Sequence, residues 1–384
     1  VPIRDYEGLK PYVDRVVNGE ENVLWKGKPL YFAKTSGTTS GAKYIPLTKE
    51  SMPTHIQASR NAILHYIHET GNTDFVDGKM IFLQGSPILT EKNGIKLGRL
   101  SGIAAHFVPG YLQKNRMPSW ETNCIEDWET KVNAIVEETI KEDMRVISGI
   151  PSWVQMYFEK LQQKAQKPVG ELFQNFNLFI YGGVNFEPYR AKFENLIGRR
   201  VDSIELFPAS EGFFAYQDSQ KEKGMLLLLN SGIFYEFIPF NDENFDSSGE
   251  LKLSAKAVTI EHAANNVDYA LLLSSCAGAW RYMIGDVVRF VDVSQGNIII
   301  SGRTKHFLSL VGEHLSVDNM NKAIEHLSAE LDIEIPEYMV TGVPFENSFA
   351  HQWFLGVNKE LDLGKAKQIL DNKLKGINDD YAVE

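Results

Sequence analysis

From residue 30 to residue 207, short apolar runs of strand length alternate with longer stretches in which apolar residues recur every three or four positions, and this alternation limits the folds open to the chain. Residues 30–35, 79–83, 145–148, 178–181 and 203–207 read as strands, and residues 48–70, 125–141, 151–165 and 186–197 read as helices. Ahead of them, a helix over Tyr6–Val17 sets Leu9, Tyr12, Val13 and Val16 on one face and stops at Asn18-Gly19. Strands alternating with crossover helices predict a parallel sheet, whose ligands gather at the carboxyl ends of its strands. After Ser210 the pattern changes to strand-length runs separated by turns, at 225–229, 233–238, 250–253, 269–274, 287–291 and 297–300. These predict an antiparallel barrel or sheet packed beside the parallel core. Helices return at 317–331 and 363–374, with strand-like 338–342 and 353–357 between them, as in a small α+β lobe. The expected fold class is therefore α/β. A large domain covers 1–301, parallel to about 210 and antiparallel over 211–301, and a small C-terminal domain covers 302–384.

A chain of 384 residues is too long for one ordinary core, which supports the two-domain division. Its net charge of −11 and pI near 5.4 exclude nucleic acid and an anionic membrane as main partners, because both demand a dominant basic surface. An anionic ligand must find a local positive site. With Cys124 and Cys276 as the only cysteines, neither a disulfide framework nor a zinc cluster is expected, and a reducing cytoplasm fits. No apolar run approaches the ~20 residues of a membrane span. The start at Val1-Pro2-Ile3 without Met, and the stop at Tyr381-Ala382-Val383-Glu384 directly after a helical pattern, read as cut ends. The small domain is accordingly expected to be incomplete, and the chain to be a monomer or weak dimer.

Thr35–Lys43 (Thr-Ser-Gly-Thr-Thr-Ser-Gly-Ala-Lys) follows a predicted strand and joins two glycines, five hydroxyl residues and a lysine. Such a loop suits a polyphosphate: Gly37 and Gly41 free backbone N–H groups to turn toward an anion, Ser36, Thr38, Thr39 and Ser40 donate further hydrogen bonds, and Lys43 brings a mobile charge. It is not a Walker loop, since Ala42 precedes Lys43 and Tyr44 follows it. On composition alone, a Ser/Thr-rich surface loop remains the other reading.

The segment resembles the Thr-Ser-Gly-Thr-Thr-Gly-x-Pro-Lys signature of adenylate-forming enzymes, with Ser40 in place of a glycine and Ala42 in place of the proline. It is closer still to the auxin-responsive Gretchen Hagen family of plants and bacteria, whose members join carboxylic acids to amino acids. Val1 to Tyr6 and Ser148 to Trp153 also look like text of that family. The resemblance implies ATP and Mg²⁺ as cofactors, with a small carboxylic acid and an amino acid as substrates. By it, Phe207-Pro208-Ala209-Ser210-Glu211 stands for the second nucleotide motif, Phe207 offering an aromatic face to adenine, Ala209 among the nucleotide-binding residues, Ser210 at the α-phosphate and Glu211 as Mg²⁺ ligand. Gly182, Gly183 and Val184 stand for the small-residue segment that packs on the base. Asp286, at the end of Arg281-Tyr282-Met283-Ile284-Gly285-Asp286, is similar to the aspartate that holds the ribose hydroxyls, although Met283 departs from the arginine of the pattern. Arg303, Gly312 and Leu315 fall on the pattern of the junction between large and small domains, where Arg303 reaches ribose or phosphate; Lys305 and Ser309 depart from it.

Lys43, Ser210 and Glu211 are the expected catalytic residues. Phe213 and Phe214, close after Glu211, are candidates to line the acid pocket, and Arg99 to meet a carboxylate. None of His106, His306 and His314 has the spacing of a metal set or a catalytic base. The function expected is an ATP-dependent acyl-acid amido synthetase. An acyl-CoA or acyl-carrier ligase and a nucleotide-binding module without turnover are the alternatives.

Overall fold

Asp5 opens the first helix, Tyr6–Val17, by accepting the Gly8 N–H at 3.0 Å, with Glu7 in the first turn and Arg15 in the last to complement the helix dipole. Its apolar stripe of Tyr6, Leu9, Val13, Val16 and Val17 is buried. The computed structural model describes the whole chain except residues 36–42, 184–185, 247–248, 306, 309–312, 314, 334, 347, 358, 379–380 and 384.

One eleven-stranded sheet organises the larger part of the chain. Arg116–Met117, Lys79–Phe82, Met144–Ser148, Leu178–Gly182 and Asp202–Ala209 follow one another in parallel. Leu178, Phe179, Ile180 and Tyr181 are all buried, as a strand covered on both faces requires. Phe158 of the helix Pro151–Ala165 meets Phe193 of the helix Glu187–Ile197 at 5.4 Å, and Phe193 meets Phe179 of the sheet at 5.0 Å. Proline at the first helical position and Gln166 in the left-handed region (φ 53°) fix the two ends of Pro151–Ala165.

The sheet then reverses sense and continues antiparallel through Gly212–Tyr216, Met225–Leu227, Asn297–Arg303, Tyr282–Asp292, Asp268–Ser275 and Ile233–Pro239. The antiparallel region is thus an extension of the parallel sheet, hydrogen-bonded edge to edge with it. With a second sheet in the order Lys43–Leu47, Tyr31–Thr35, Ile95–Gly98, Thr90–Lys92, it encloses a barrel-like core. Phe32, Ile45 and Ile95 meet Phe214, Tyr235, Leu273, Tyr282 and Phe290 there, beneath the stripe of the first helix. On the other face, Ala58, Ala62 and Tyr66 of the helix Met52–Thr70 pack on Ile180, Ile204, Phe213 and Tyr216.

Two sequence expectations are corrected. The helix expected from residue 48 begins at Met52, because Thr48 and Ser51 bind each other across a turn: Thr48 N–H donates to Ser51 Oγ at 2.9 Å and Ser51 N–H to Thr48 Oγ1 at 3.1 Å. Residues 250–253 form no strand. Leu251 makes a single bridge to Phe245 and Leu253 is exposed, so the run has no buried face to hold it extended.

The chain divides into two compact units, Val1–Lys34 with Tyr44–Thr304, and Thr35–Lys43 with Lys305–Glu384. In the second, the helices Val317–Leu331 and Leu363–Ile377 share an apolar core with Tyr338, Trp353 and Leu355 of the hairpin Glu337–Phe345 and Ser348–Gly356. Asp362 caps the last helix by accepting the Lys365 N–H at 3.1 Å. Among the described residues no helix is long and apolar enough to cross a membrane.

His55 is 5% exposed, and Nε2 has no hydrogen-bond partner among the described residues. Burial pulls it down from 6.5 to about 4. Above 6.5 the ring is neutral in both states, so its burial carries no charge penalty. As pH falls through that window toward about 4, the unfolded chain takes up a proton that the folded chain resists, and stability is lost. Between about pH 7 and about pH 4.5, His55→Leu is expected to lose less of its urea midpoint than the native chain; equal losses would remove His55 from the acid response.

Candidate active site

Asp202–Ala209 is the last parallel strand, and Ala209 pairs with Gly212 on the strand that follows, so Ser210 and Glu211 form a two-residue turn at its carboxyl end. Pro208 is tolerated because pairing to the neighbouring strand ends earlier, at Gly182 opposite Leu206. The next strand carries a bulge between Phe213 and Ala215, which tightens the local twist beside the turn.

Glu211 is 9% exposed, and its Oε1 accepts a hydrogen bond from the Tyr282 hydroxyl at 3.2 Å. Burial, and then the Glu211 charge, push the Tyr282 phenol well above its usual range, so it remains a donor. Nearby in sequence to the predicted phosphate loop, the Tyr44 N–H donates to the Tyr6 hydroxyl at 2.8 Å. The Tyr6 phenol is pushed up to about 12, mainly by burial. Tyr282 and Tyr6 were not singled out from the sequence, although both lie inside segments that resemble family text. What marks them is a contact between residues far apart in the chain.

Asp286 and Arg303 are brought together. They are direct register partners on adjacent strands, and Arg303 Nε lies 3.2 Å from Asp286 Oδ1. Their side chains are 33% and 15% exposed, Arg303 first, so solvent screens the pair and its value is modest. The Asp286 carboxylate retains acceptor capacity beyond one arginine contact, which is what a ribose diol requires. Arg281 is used elsewhere: it grips Glu236 with two bonds of 2.9 Å.

Gly182 closes the strand Leu178–Gly182, and a Cβ there would stand 2.5 Å from the Leu206 carbonyl oxygen, so only glycine allows the two strands to approach. Gly183 follows at φ +86° and is exposed. Val184 lies outside the described residues, as do Ser36, Gly37, Thr38, Thr39, Ser40 and Gly41 of the loop. Lys43 is the first residue of the strand Lys43–Leu47. Arg99 precedes the short helix Leu100–Ala104, partly buried, and its Cδ lies close to Gly85 just beyond the carboxyl end of Lys79–Phe82.

The three phenylalanines are placed differently from the sequence expectation. Phe207 is 6% exposed and its ring meets Phe214 edge-on at 5.1 Å inside the barrel-like core, so it presents no open face to a base. Phe214 is fully buried in the same core, and Phe213 is buried on the opposite face of the sheet. The bulge and the burial of both faces make these residues core, where apolar area gains most by leaving water.

Among the described residues, no group of three His, Cys, Asp or Glu side chains could by itself hold a metal ion. One buried carboxylate suits Mg²⁺, which takes one or two protein carboxylates and completes its shell with phosphate and water.

The fold is that of adenylate-forming enzymes. A 2-hydroxyisobutyryl-CoA ligase in its postadenylation state superposes with a TM-score of 0.51 at 10% identity, over 98% of this chain and 74% of that one. The acyl acid amido synthetase AtGH3.15, in complex with 2,4-DB, matches with a TM-score of 0.64 at 16% identity, over 98% of this chain and 76% of that one. Residues 1–109 match the GH3 family N-terminal domain and residues 226–297 the GH3 family central domain, in chain order. The chain is 22% identical to the jasmonoyl–L-amino acid synthetase JAR4 of Nicotiana attenuata over 77% of its own length. The match spans 61% of that relative's length.

Proposed function

We propose that this chain is the ATP-using core of an acyl-acid amido synthetase, acting on a small carboxylic acid and an amino acid. The observation that carries the reading is Glu211, a carboxylate held by Tyr282 in the turn at the end of the last parallel strand. This is the edge where open α/β sheets bind ligands. The matches to two GH3 family domains and the names of the relatives support the amide product.

In the first step the acid's carboxylate oxygen attacks the α-phosphorus of ATP, forming the acyl-phosphate bond and releasing pyrophosphate. In the second, the amine attacks the acyl carbon, loses a proton and expels AMP. The resident Mg²⁺ would be held by Glu211 and would neutralise charge on the phosphates. Asp286, paired with Arg303, orients the ribose through its hydroxyls. Gly182 and Gly183 leave room for the base beside the backbone. Ser210 donates to the α-phosphate, and Lys43 is the residue assigned to the charge that spreads over the phosphate oxygens. Arg99 is the candidate to meet the acid's carboxylate in this reading. The adenylating part ends near residue 301 in this reading, and residues 302–384 form the small domain. A monomer or weak dimer in the reducing cytoplasm fits the two free cysteines, Cys124 and Cys276.

A panel of aromatic, fatty and hydroxy acids with Mg²⁺·ATP tests the proposal by pyrophosphate release. Acid-dependent release is expected, followed by amide formation with amino acids. Thioester formation with CoA in place of amide would instead establish an acyl-CoA ligase. ATP binding without release for any acid would establish a nucleotide-binding module.

A further inference from the structure

We propose that Tyr282 is a positioning residue that sets the Glu211 carboxylate for a divalent cation, and that the N-terminal segment around Arg4 locks Tyr282 in place. This rests on the adenylation reading above. Glu211 sits in the turn that opens Gly212–Tyr216, Tyr282 opens Tyr282–Asp292, and two strands, Met225–Leu227 and Asn297–Arg303, lie between these two. In a flat sheet such strands lie ~14 Å apart. The curl of the antiparallel half closes that gap to a 3.2 Å hydrogen bond between two side chains that are 9% and 1% exposed, Glu211 first. So dry a contact fixes the rotation of the carboxylate before any ligand arrives.

Tyr282 is itself held from both sides. Across one edge it pairs with Leu273. On the other edge, pairing with Asn297–Arg303 stops at Asp286 opposite Arg303, and residue 4 takes over: Arg4 N–H donates to the Arg281 carbonyl at 3.1 Å and Met283 N–H to the Arg4 carbonyl at 2.8 Å. Four residues further along the same strand stands Asp286. One strand therefore carries both the support of the metal-binding carboxylate and the ribose carboxylate, ~13 Å apart by strand rise. Hydrogen-bond partners of metal-ligating carboxylates orient the ligand, and losing one costs ~10–100-fold in metal affinity or activity.

Tyr282→Phe keeps the ring and removes the hydroxyl. In the full 384-residue chain it is expected to weaken Mn²⁺·ATP binding, read by electron paramagnetic resonance of the bound Mn²⁺, by ~10–100-fold, with metal-free ATP binding unchanged. A purely structural tyrosine would lower the unfolding midpoint and leave the metal dependence alone. Mn²⁺·ATP affinity within about twofold of the native chain overturns the proposal. Should Tyr282→Phe fail to fold, Arg4→Pro removes the amide that holds the Arg281 carbonyl together with the guanidinium's contacts with Tyr12, and Arg4→Ala removes the latter alone. A smaller loss in the same direction is expected for Arg4→Pro beyond that of Arg4→Ala, and no such loss overturns the proposal. Glu211→Gln separates the two claims. If it weakens Mn²⁺·ATP while Tyr282→Phe does not, the positioning role is wrong and the adenylation site stands; if neither moves, the site itself is wrong.

Discussion

Glu211→Ala is expected to lower acid-dependent pyrophosphate release by ~10²–10³-fold, the usual cost of removing one preorganised group from a site where charge develops. The physical reason lies in the first step, where negative charge moves onto the departing pyrophosphate. On the proposed mechanism, the cation that meets this charge would lose its protein ligand when the carboxylate is removed. The same variant leaves the buried Tyr282 hydroxyl without its acceptor, at a cost of ~1–3 kcal/mol in stability. Rates must therefore be compared at equal folded fraction. Glu211→Gln keeps an oxygen for Tyr282 and removes only the charge, and it should lose nearly as much activity while unfolding like the native chain. Turnover close to native in both variants would sink the assignment of Glu211.

Phe214→Ala is expected to cost ~3–5 kcal/mol of stability, read as a fall in the urea midpoint with an unchanged slope. Its ring is fully buried and meets Phe207 at 5.1 Å and Tyr235 at 6.3 Å, so truncation opens a cavity where three segments converge. Were Phe214 a wall of an acid pocket, as its closeness to Glu211 in sequence suggests, truncation would shift the preference among acids and leave the midpoint nearly unmoved. A shifted preference without destabilisation would return it to the pocket.

These phenylalanines show why part of the site was hidden in the sequence. Phe213-Phe214-Ala215-Tyr216 has no alternation of apolar and polar residues, because both faces of the strand are buried and a bulge interrupts its period. Tyr6–Val17, Pro151–Ala165 and Val317–Leu331, by contrast, were legible to the residue. The first has a capping aspartate before an apolar stripe, the second an N-terminal proline, and the third a clean helical period. The order of strands and helices to Phe207 likewise gave the parallel half, since each element there carries its own period. What no period reveals is closure. Asp286 and Arg303 are proposed as nucleotide residues from the motif each lies in, and their facing positions follow from the register of two adjacent strands. The bond from Tyr282 to Glu211 spans 71 positions and depends on the curl of the whole antiparallel half.

The turn at Ser210 and Glu211 also limits how this chain can change. Short of a further bulge, a single inserted or deleted residue there would slip the following strand by one register and send Phe213 and Phe214 toward each other's cores. Length between Ala209 and Gly212 is thus fixed by the packing of two apolar cores rather than by the nucleotide. In descendants of this sequence that no longer bind the nucleotide, residues 210 and 211 should vary in kind before they vary in number.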